Sequence, residues 1–307
     1  MKSPLVSVVI PNYNHAQFLD ERIQSVLNQT YQNFEIIILD DKSTDNSVEV
    51  INKYKDNPHV SEILVNEENS GSTFKQWHRG FELAKGDIVW IAESDDSCDE
   101  KLLEVLVKGY VENNAVLAFC KSYMYDVEGN KLYYGHQGEL IENFSISGSE
   151  FISAYMIKKN IVANASSVIF DKKIALTLDK QYMSMRAEGD WLFWIELMEH
   201  GNVCFCNSEL NLFRFHPSNT SLKLLNKGLT QIEHKIVFDY LATHNYIPSS
   251  DVKNEKIRLV NMYSRMNYES RSTRREVLNA WDKNRCVRLY IIGSMIKNIF
   301  LNLRDMV

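Results

Sequence analysis

At 307 residues, with 45% apolar and 11% aromatic side chains, the chain suffices for one large α/β domain or a domain with an appendage. The formal net charge of -6 argues against a general nucleic-acid binder, but it is unevenly spread. Residues 252–307 carry 12 Lys and Arg against 5 Asp and Glu (+7), leaving 22 against 35 (-13) elsewhere, so an acidic body has a basic tail suited to something anionic.

Met1-Lys2-Ser3-Pro4 leads straight into a first strand, Leu5 to Ile10, so no leader is expected; Pro11-Asn12-Tyr13-Asn14 closes that strand. Apolar residues at helical spacing predict a helix from Ala16 to Gln29. Phe34 to Leu39 is a second strand ending in Asp40-Asp41, and Ser43-Thr44-Asp45 supplies capping chemistry for a helix to about Tyr54. Val60 to Val65 is a third strand, and Phe74 to Ala84 a helix stopped by Lys85-Gly86. Ile88 to Ile91 is a fourth strand, with a helix from about Glu100 to Val111 behind it. Four strand–helix alternations predict right-handed crossovers and a mostly parallel sheet.

After Ala115 the rhythm changes. Val116 to Cys120 reads as a strand, Met124 to Tyr134 as a hairpin and Ser149 to Lys158 as a helix. Ser166 to Phe170 is another strand, and Trp191 to His200 an amphipathic helix. Val203 to Cys206 and Leu210 to Phe215 read as two short strands, with helix from about Leu225 onward. The five Cys, at 98, 120, 204, 206 and 286, form no disulfide-like framework and point to a reducing compartment.

The fourth strand is apolar without alternation, hence buried on both faces, and it runs into Glu93, Asp95 and Asp96. Like charges this close repel unless a cation lies among them, and oxygen ligands suit Mg²⁺ or Mn²⁺. A helix cap at Asp96 or Asp99 accounts for one acid but not three. The second strand also ends in an acidic pair, so two strands bring carboxylates to the edge where open α/β sheets bind ligands.

Read in order, Val6-Ser7-Val8-Val9-Ile10-Pro11-Asn12-Tyr13-Asn14, Leu39-Asp40-Asp41-Lys42-Ser43-Thr44-Asp45, Asn69-Ser70-Gly71, and Ala84-Lys85-Gly86-Asp87 into Glu93-Ser94-Asp95-Asp96 resemble the family 2 glycosyltransferases. The resemblance covers residues 5 to about 222. It implies a GT-A fold, with a Rossmann-like, mostly parallel sheet flanked by helices and followed by a helical C-terminal extension. By the same resemblance, Pro11 and Tyr13 border the nucleotide, Asp41 bonds the base edge and Asp40 supports that loop. Asp95 and Asp96 take the family's metal-and-ribose positions, with Asp96 as the foremost metal ligand. Glu93 stands where many members have Asp. Lys75 is either a cation near the phosphates or part of a solvated helix face. Asp190, in Gly189-Asp190-Trp191-Leu192-Phe193-Trp194, is implied to be the general base that takes the acceptor proton. Leu212-Phe213-Arg214-Phe215-His216 resembles the family's Tyr-Arg-x-His loop, giving Arg214 and His216 a diphosphate or metal role.

The expectation is therefore an inverting, Mn²⁺- or Mg²⁺-dependent transferase. It would move a hexosyl or N-acetylhexosaminyl group from a nucleotide-diphosphate sugar, UDP-linked by preference, to a saccharide or lipid-linked saccharide in surface-glycan synthesis. A nucleotidyltransferase and a non-catalytic nucleotide-sugar-binding module are the alternatives. Residues 1–225 are read as the catalytic domain, with a nucleotide-binding half at 1–115 and an acceptor half at 116–225, and 226–307 as a helical region. The basic, Trp-flanked stretch from 281 is too short and charged to span a bilayer. It reads either as an interfacial helix on the inner face of the plasma membrane or as a helix docked on its own core or a second subunit. The expected location is cytoplasmic.

Overall fold

The structure is a computed structural model that describes residues 3–132, 137–162, 164–217 and 219–283. Its first half runs β1 (Val6–Asn12), α1 (Ala16–Leu27), β2 (Phe34–Asp40), α2 (Ser47–Asn52), β3 (Val60–Val65), α3 (Thr73–Leu83), β4 (Ile88–Ile91), β5 (Ser97–Cys98) and α4 (Leu102–Glu112). The second half runs β6 (Ala115–Tyr125), β7 (Lys131–Leu132), β8 (Phe144–Ser147), α5 (Gly148–Phe151), β9 (Val168–Asp171), α6 (Lys172–Ala175), α7 (Gly189–Met198) and β10 (Asn202–Arg214). The helices α8 (Thr220–Asn226), α9 (Leu229–Thr243), α10 (Ser249–Ser264) and α11 (Arg271–Trp281) follow.

Every residue of β1, β2 and β4 is buried, as runs of Val, Ile and Leu without polar alternation require. Fully burying each such side chain contributes about 1.5–3 kcal/mol. Among the described residues the strands form one sheet in the order β3-β2-β1-β4-β9-β6-β10-β5, with β7 beside β6 and β8 beside β10. The β1–β2, β2–β3 and β1–β4 pairs are parallel. Helix α3 lies close on β1 because Gly80 has no side chain, and a Cβ there would come within 2.4 Å of Val9 Cγ1.

The second half departs from the expected rhythm. Strand β9 enters between β4 and β6 and runs antiparallel to both. The two short strands expected after Gly201 are one strand, β10, carried through register shifts near residues 206–211 and parallel to β6. The helix expected from Ser149 to Lys158 is α5 followed by a π-turn over Ile152–Met156. Since β9 is antiparallel to both neighbours, β6 and β10 run in the same direction as β1 and β4, and their carboxyl ends reach the same sheet edge.

The chain divides into two compact units, up to residue 218 and from 219 on. In the second unit Trp281 is the core: its ring meets His234, Phe238 and Tyr263 at 5.6, 5.3 and 5.5 Å, and its Nε1 donates to the Gln231 carbonyl (2.7 Å). None of the described helices is long and apolar enough to cross a membrane. The stretch proposed for an interfacial helix, from residue 284 on, lies outside the described residues.

Candidate active site

Strand β1 has β2 on one side and β4 on the other, so the chain reverses its direction of travel across the sheet between β1 and β4. The carboxyl ends on either side of such a reversal splay apart and leave a crevice for ligands. Asn12, Asp40-Asp41 and Glu93 to Asp96 all stand at this edge, since β1, β2 and β4 are parallel.

The first acidic pair ties the loops at this edge together. Asp40 is fully buried: its Oδ2 accepts from Asn12 Nδ2 and Ser43 Oγ (both 2.7 Å), and its Oδ1 from Ser43 N (2.8 Å). Asn14, in the left-handed region at φ 58°, accepts at its Oδ1 from Thr44 N (2.7 Å), so the loops after β1 and β2 are knitted together. Asp41 Oδ1 accepts from Asn66 Nδ2, Ser70 N and Gln76 Nε2 at 2.7–2.9 Å, and Oδ2 accepts from Ser70 Oγ at 2.8 Å. Oδ2 therefore keeps acceptor capacity that Oδ1 does not. Pro11 is buried in β1 opposite Leu39, while the Tyr13 ring stands 46% exposed beside these loops.

The second acidic cluster separates into three different environments. Glu93 accepts a hydrogen bond from Trp77 Nε1 at 2.8 Å, and burial, reinforced by the Asp95 charge, pushes its carboxyl up to about 8. Asp96 was expected to be the foremost metal ligand. Both its oxygens meet protein donors: Asn164 Nδ2 (3.0 Å) and Ser166 Oγ (2.7 Å) at Oδ2, and Arg214 N (3.1 Å) at Oδ1. It ties β4, the 164–166 turn and the end of β10 together. Burial, with the Asp95 charge adding to it, pushes the Asp96 carboxyl up. Asp95 behaves oppositely. Burial opposes its ionisation, but the His216 hydrogen bond and the charges of His15 and His216 outweigh that and hold it down.

Asp95 Oδ2 lies 3.1 Å from His216 Nε2 and 3.9 Å from His15 Nε2, and the three donor atoms all fall within 4.8 Å of one another. His15 was not singled out from sequence, where it reads as the residue before a helix. It occupies the N-cap position of α1 without capping through its side chain, and its Nδ1 is hydrogen-bonded with Ser94 Oγ (2.9 Å). Two imidazoles and a carboxylate form a donor set that first-row divalent ions accept, so these residues fit the cation the family implies. Arg214, expected at the diphosphate, is 6% exposed and clamped: its guanidinium lies over the Phe18 and Tyr125 rings at 4.8 and 4.6 Å. It also donates to Glu21 Oε2 (2.6 Å) and to the Asp95 carbonyl (3.0 Å). It fixes the strand end that carries His216. The buried Arg22, donating to the Glu93 carbonyl (2.9 Å), supplies positive charge beneath the cluster.

Asp190 stands in the first turn of α7. Its Oδ2 accepts from Asn160 Nδ2 (2.9 Å) and its Oδ1 from Trp191 N (2.8 Å). Gly189 permits the close approach of this helix start to α3, since a Cβ there would meet Phe74 at 2.6 Å and the Tyr182 carbonyl at 2.8 Å. Phe193 and Trp194 of α7 pack on Trp77, whose indole holds Glu93. Arg186 Nη2 donates to the Gly71 carbonyl (2.9 Å), linking the segment before Asp190 to the loop that Asp41 holds. Lys75 is exposed and its ammonium donates to the Ser70 carbonyl (3.2 Å).

Carboxylates and imidazoles gathered at the reversal point of an open α/β sheet, with a further acid in the first turn of α7, mark the edge at which enzymes of this architecture bind their ligands. Residues 7–171 match the glycosyl transferase family 2, and the chain belongs to that family. The glycosyltransferase GlyG of Streptococcus pneumoniae is 36% identical over 137 residues, covering 45% of this chain and 45% of GlyG. The putative teichuronic acid biosynthesis glycosyltransferase TuaG of Bacillus subtilis is 26% identical over 73% of this chain and 85% of its own. The poly(ribitol-phosphate) beta-N-acetylglucosaminyltransferase TarP of Staphylococcus aureus is 32% identical over 63% of this chain and 57% of TarP. The chain thus spans about half the length of GlyG and of an uncharacterized glycosyltransferase of Haemophilus influenzae, at 45% and 52%. Among solved structures, S. aureus TarS 1-349 in complex with UDP-GlcNAc aligns with a TM-score of 0.57 at 15% identity, covering 91% of this chain and 74% of that one. That likeness establishes the fold, GT-A, as the sequence motifs implied.

Proposed function

We propose that the chain is an inverting glycosyltransferase that moves a sugar from a UDP-sugar to a saccharide acceptor in cell-surface polysaccharide synthesis. The observation that carries this reading is the sheet edge itself. Acids from β2 and β4 and the histidine after β10 converge at the reversal point, with Asp190 on the helix that packs against it through Trp77. TuaG and TarP support a surface-polymer acceptor through their names, and TarS supports UDP-GlcNAc-type donors through its bound ligand.

In this reading the uracil edge donates to Asp41 Oδ2, the oxygen with acceptor capacity left, beside Pro11 and the exposed Tyr13 ring. Asp40 keeps that loop in place, Glu93 faces the ribose, and Lys75 attracts the phosphates electrostatically. Asp95 and His216 hold a divalent cation, which when bound offsets charge on the leaving diphosphate. Asp190 accepts the proton of the attacking hydroxyl. The new bond forms at the anomeric carbon as the bond to the diphosphate oxygen breaks, and one such displacement inverts the configuration. Arg214 acts by holding the β10 end in register with Asp95 and Asp96. The acceptor is read as growing on a lipid carrier, met by a cytoplasmic enzyme at the inner face of the membrane. The support for that is the basic charge of residues 252–307.

A nucleotidyltransferase would need a phosphate-cradling loop after β1. Here the Asn14 backbone N–H donates to Ser43 Oγ and its Oδ1 accepts from Thr44 N, so both are taken up by the loop after β2. The test is a thermal-shift and turnover screen of nucleotide diphosphates and their sugars with Mn²⁺. A ligand at 100 times its Kd stabilises the fold by about 2.7 kcal/mol, so UDP and one UDP-sugar should raise the Tm selectively. If no nucleotide diphosphate moves the Tm and no UDP-sugar is hydrolysed or transferred, the reading fails.

A further inference from the structure

We propose that His15 is a third protein ligand of the cation, making a two-histidine, one-carboxylate site that captures Co²⁺ or Mn²⁺ before any nucleotide binds and discriminates against Mg²⁺. The inference rests on the transferase reading for the cation's purpose, but its geometry stands by itself. A first-row ion binds imidazole nitrogen and carboxylate oxygen at roughly 2.0–2.2 Å, which sets neighbouring donors about 3 Å apart and opposite ones about 4 Å apart. The 3.1 and 3.9 Å separations from Asp95 Oδ2, with all three atoms within 4.8 Å, need only small adjustments to share one ion. The His15 and His216 rings meet edge to face at 87°, with centroids 5.8 Å apart, so they approach the shared carboxylate from different directions.

The surroundings hold these donors in place. The contact of His15 Nδ1 with Ser94 Oγ orients the ring with Nε2 toward Asp95, as the partner on the second ring nitrogen does in metal-ligating histidines. His216 is 2% exposed and packs on Phe18, with ring centroids 4.9 Å apart. The backbone of Asp95 is pinned by Arg214 Nε, and its neighbour Asp96 by three donors. With one carboxylate the site offers little to Mg²⁺, which demands oxygen ligands and dehydrates reluctantly. Two nitrogens favour ions later in the first row, so affinity should rise from Mn²⁺ to Co²⁺.

The experiment is calorimetry of the full chain with MnCl₂, CoCl₂ and MgCl₂ without nucleotide, together with the visible absorption of the Co²⁺-loaded protein. Wild type should bind Co²⁺ more tightly than Mn²⁺, and both at least tenfold more tightly than Mg²⁺. His15→Gln, with its fold checked by circular dichroism, should lose at least tenfold in Co²⁺ affinity and change the Co²⁺ spectrum. Ser94→Ala should lose less and keep the spectrum. Equal Co²⁺ affinity and an unchanged spectrum in His15→Gln would overturn the assignment. So would a His15→Gln variant that loses UDP affinity but no metal affinity, since His15 would then be a phosphate partner. Mg²⁺ binding as strong as Co²⁺ would overturn the selectivity. Wild type that turns over a UDP-sugar yet binds no cation without nucleotide defeats this inference alone. Tight Co²⁺ binding with no response to any nucleotide sugar defeats the transferase reading instead.

Discussion

Asp190→Asn tests the proposed chemistry most directly. The carboxylate is held by Asn160 at one oxygen and Trp191 N at the other, in the first turn of α7, where the helix dipole favours its ionised form. Asparagine keeps the shape and the acceptor for Trp191 N. At the other position it presents an NH₂ to Asn160, which must turn its own amide to offer Oδ1. The variant thus exchanges one charge-assisted hydrogen bond for a neutral one and loses a helix-end interaction, a stability loss of about 1–2 kcal/mol. Loss of a general base lowers turnover by roughly 10²–10⁴-fold, or about 3–5 kcal/mol in the barrier. The assay pairs steady-state UDP release with calorimetric UDP-sugar binding. Donor affinity should stay within about threefold of wild type, because the role proposed for Asp190 is on the acceptor. Turnover near the wild-type rate would refute the role, as would a rate loss that merely follows a large drop in donor affinity. Asn160→Leu adds a readout that simple structural damage would not move. The Asn160 N–H stabilises the carboxylate, so without it the acidic limb of the pH–rate profile should shift to higher pH.

Three further outcomes follow from named contacts. Glu196 is buried, its Oε2 finds no hydrogen-bond partner among the described residues, and burial, with Asp179 and Glu199 adding, pushes its carboxyl up to about 8 from an ordinary 4.5. A raised folded-state value means stability present below pH 4.5 and lost as pH rises through 8, so Glu196→Gln should gain about 4 kcal/mol at pH 8 but only about 1 at pH 5; an equal Tm shift at both pH values refutes it. Gly189→Ala drives a methyl into Phe74 and the Tyr182 carbonyl, so it should cost about 1–3 kcal/mol and lower kcat more than it weakens UDP binding, checked by denaturant melts and kinetics. Asp41→Asn should weaken UDP at least tenfold with a stability loss of about 1–2 kcal/mol, and unchanged UDP affinity in calorimetry would leave Asp41 a purely structural acceptor.

The first half of the fold was legible because its strands are buried on both faces, and a run such as Ile36-Ile37-Ile38 has few other uses. The pairing of β9 between β4 and β6 was not, because nothing local to Val168–Asp171 records which distant strands lie beside it. The continuity of β10 was hidden by its register shifts, which break the alternation that marks a strand. In the site, strand ends and the helix start identified Asp41, Asp95 and Asp190 as candidates. His15 escaped because the position before a helix usually serves capping, and the ring's direction is set by Ser94, seventy-nine positions away. Asn160 escaped because its only signal is the acid it faces across the fold.

The acids themselves divide by a physical rule that sequence spacing does not express. A carboxylate buried without donors is strongly disfavoured, and several at one edge repel one another as well. Asp40, Asp41 and Asp96 meet this with three, four and three protein hydrogen bonds respectively, and so become the rigid frame of the crevice. Glu93 meets it by a raised proton affinity and a single indole donor. Asp95 is stabilised by the imidazoles of His15 and His216, side chains of a type that also ligates metal ions. Hydrogen bonds from amides and hydroxyls lock a carboxylate into the fold. Imidazoles leave it able to exchange its partners for a cation, as the metal role proposed for Asp95 requires.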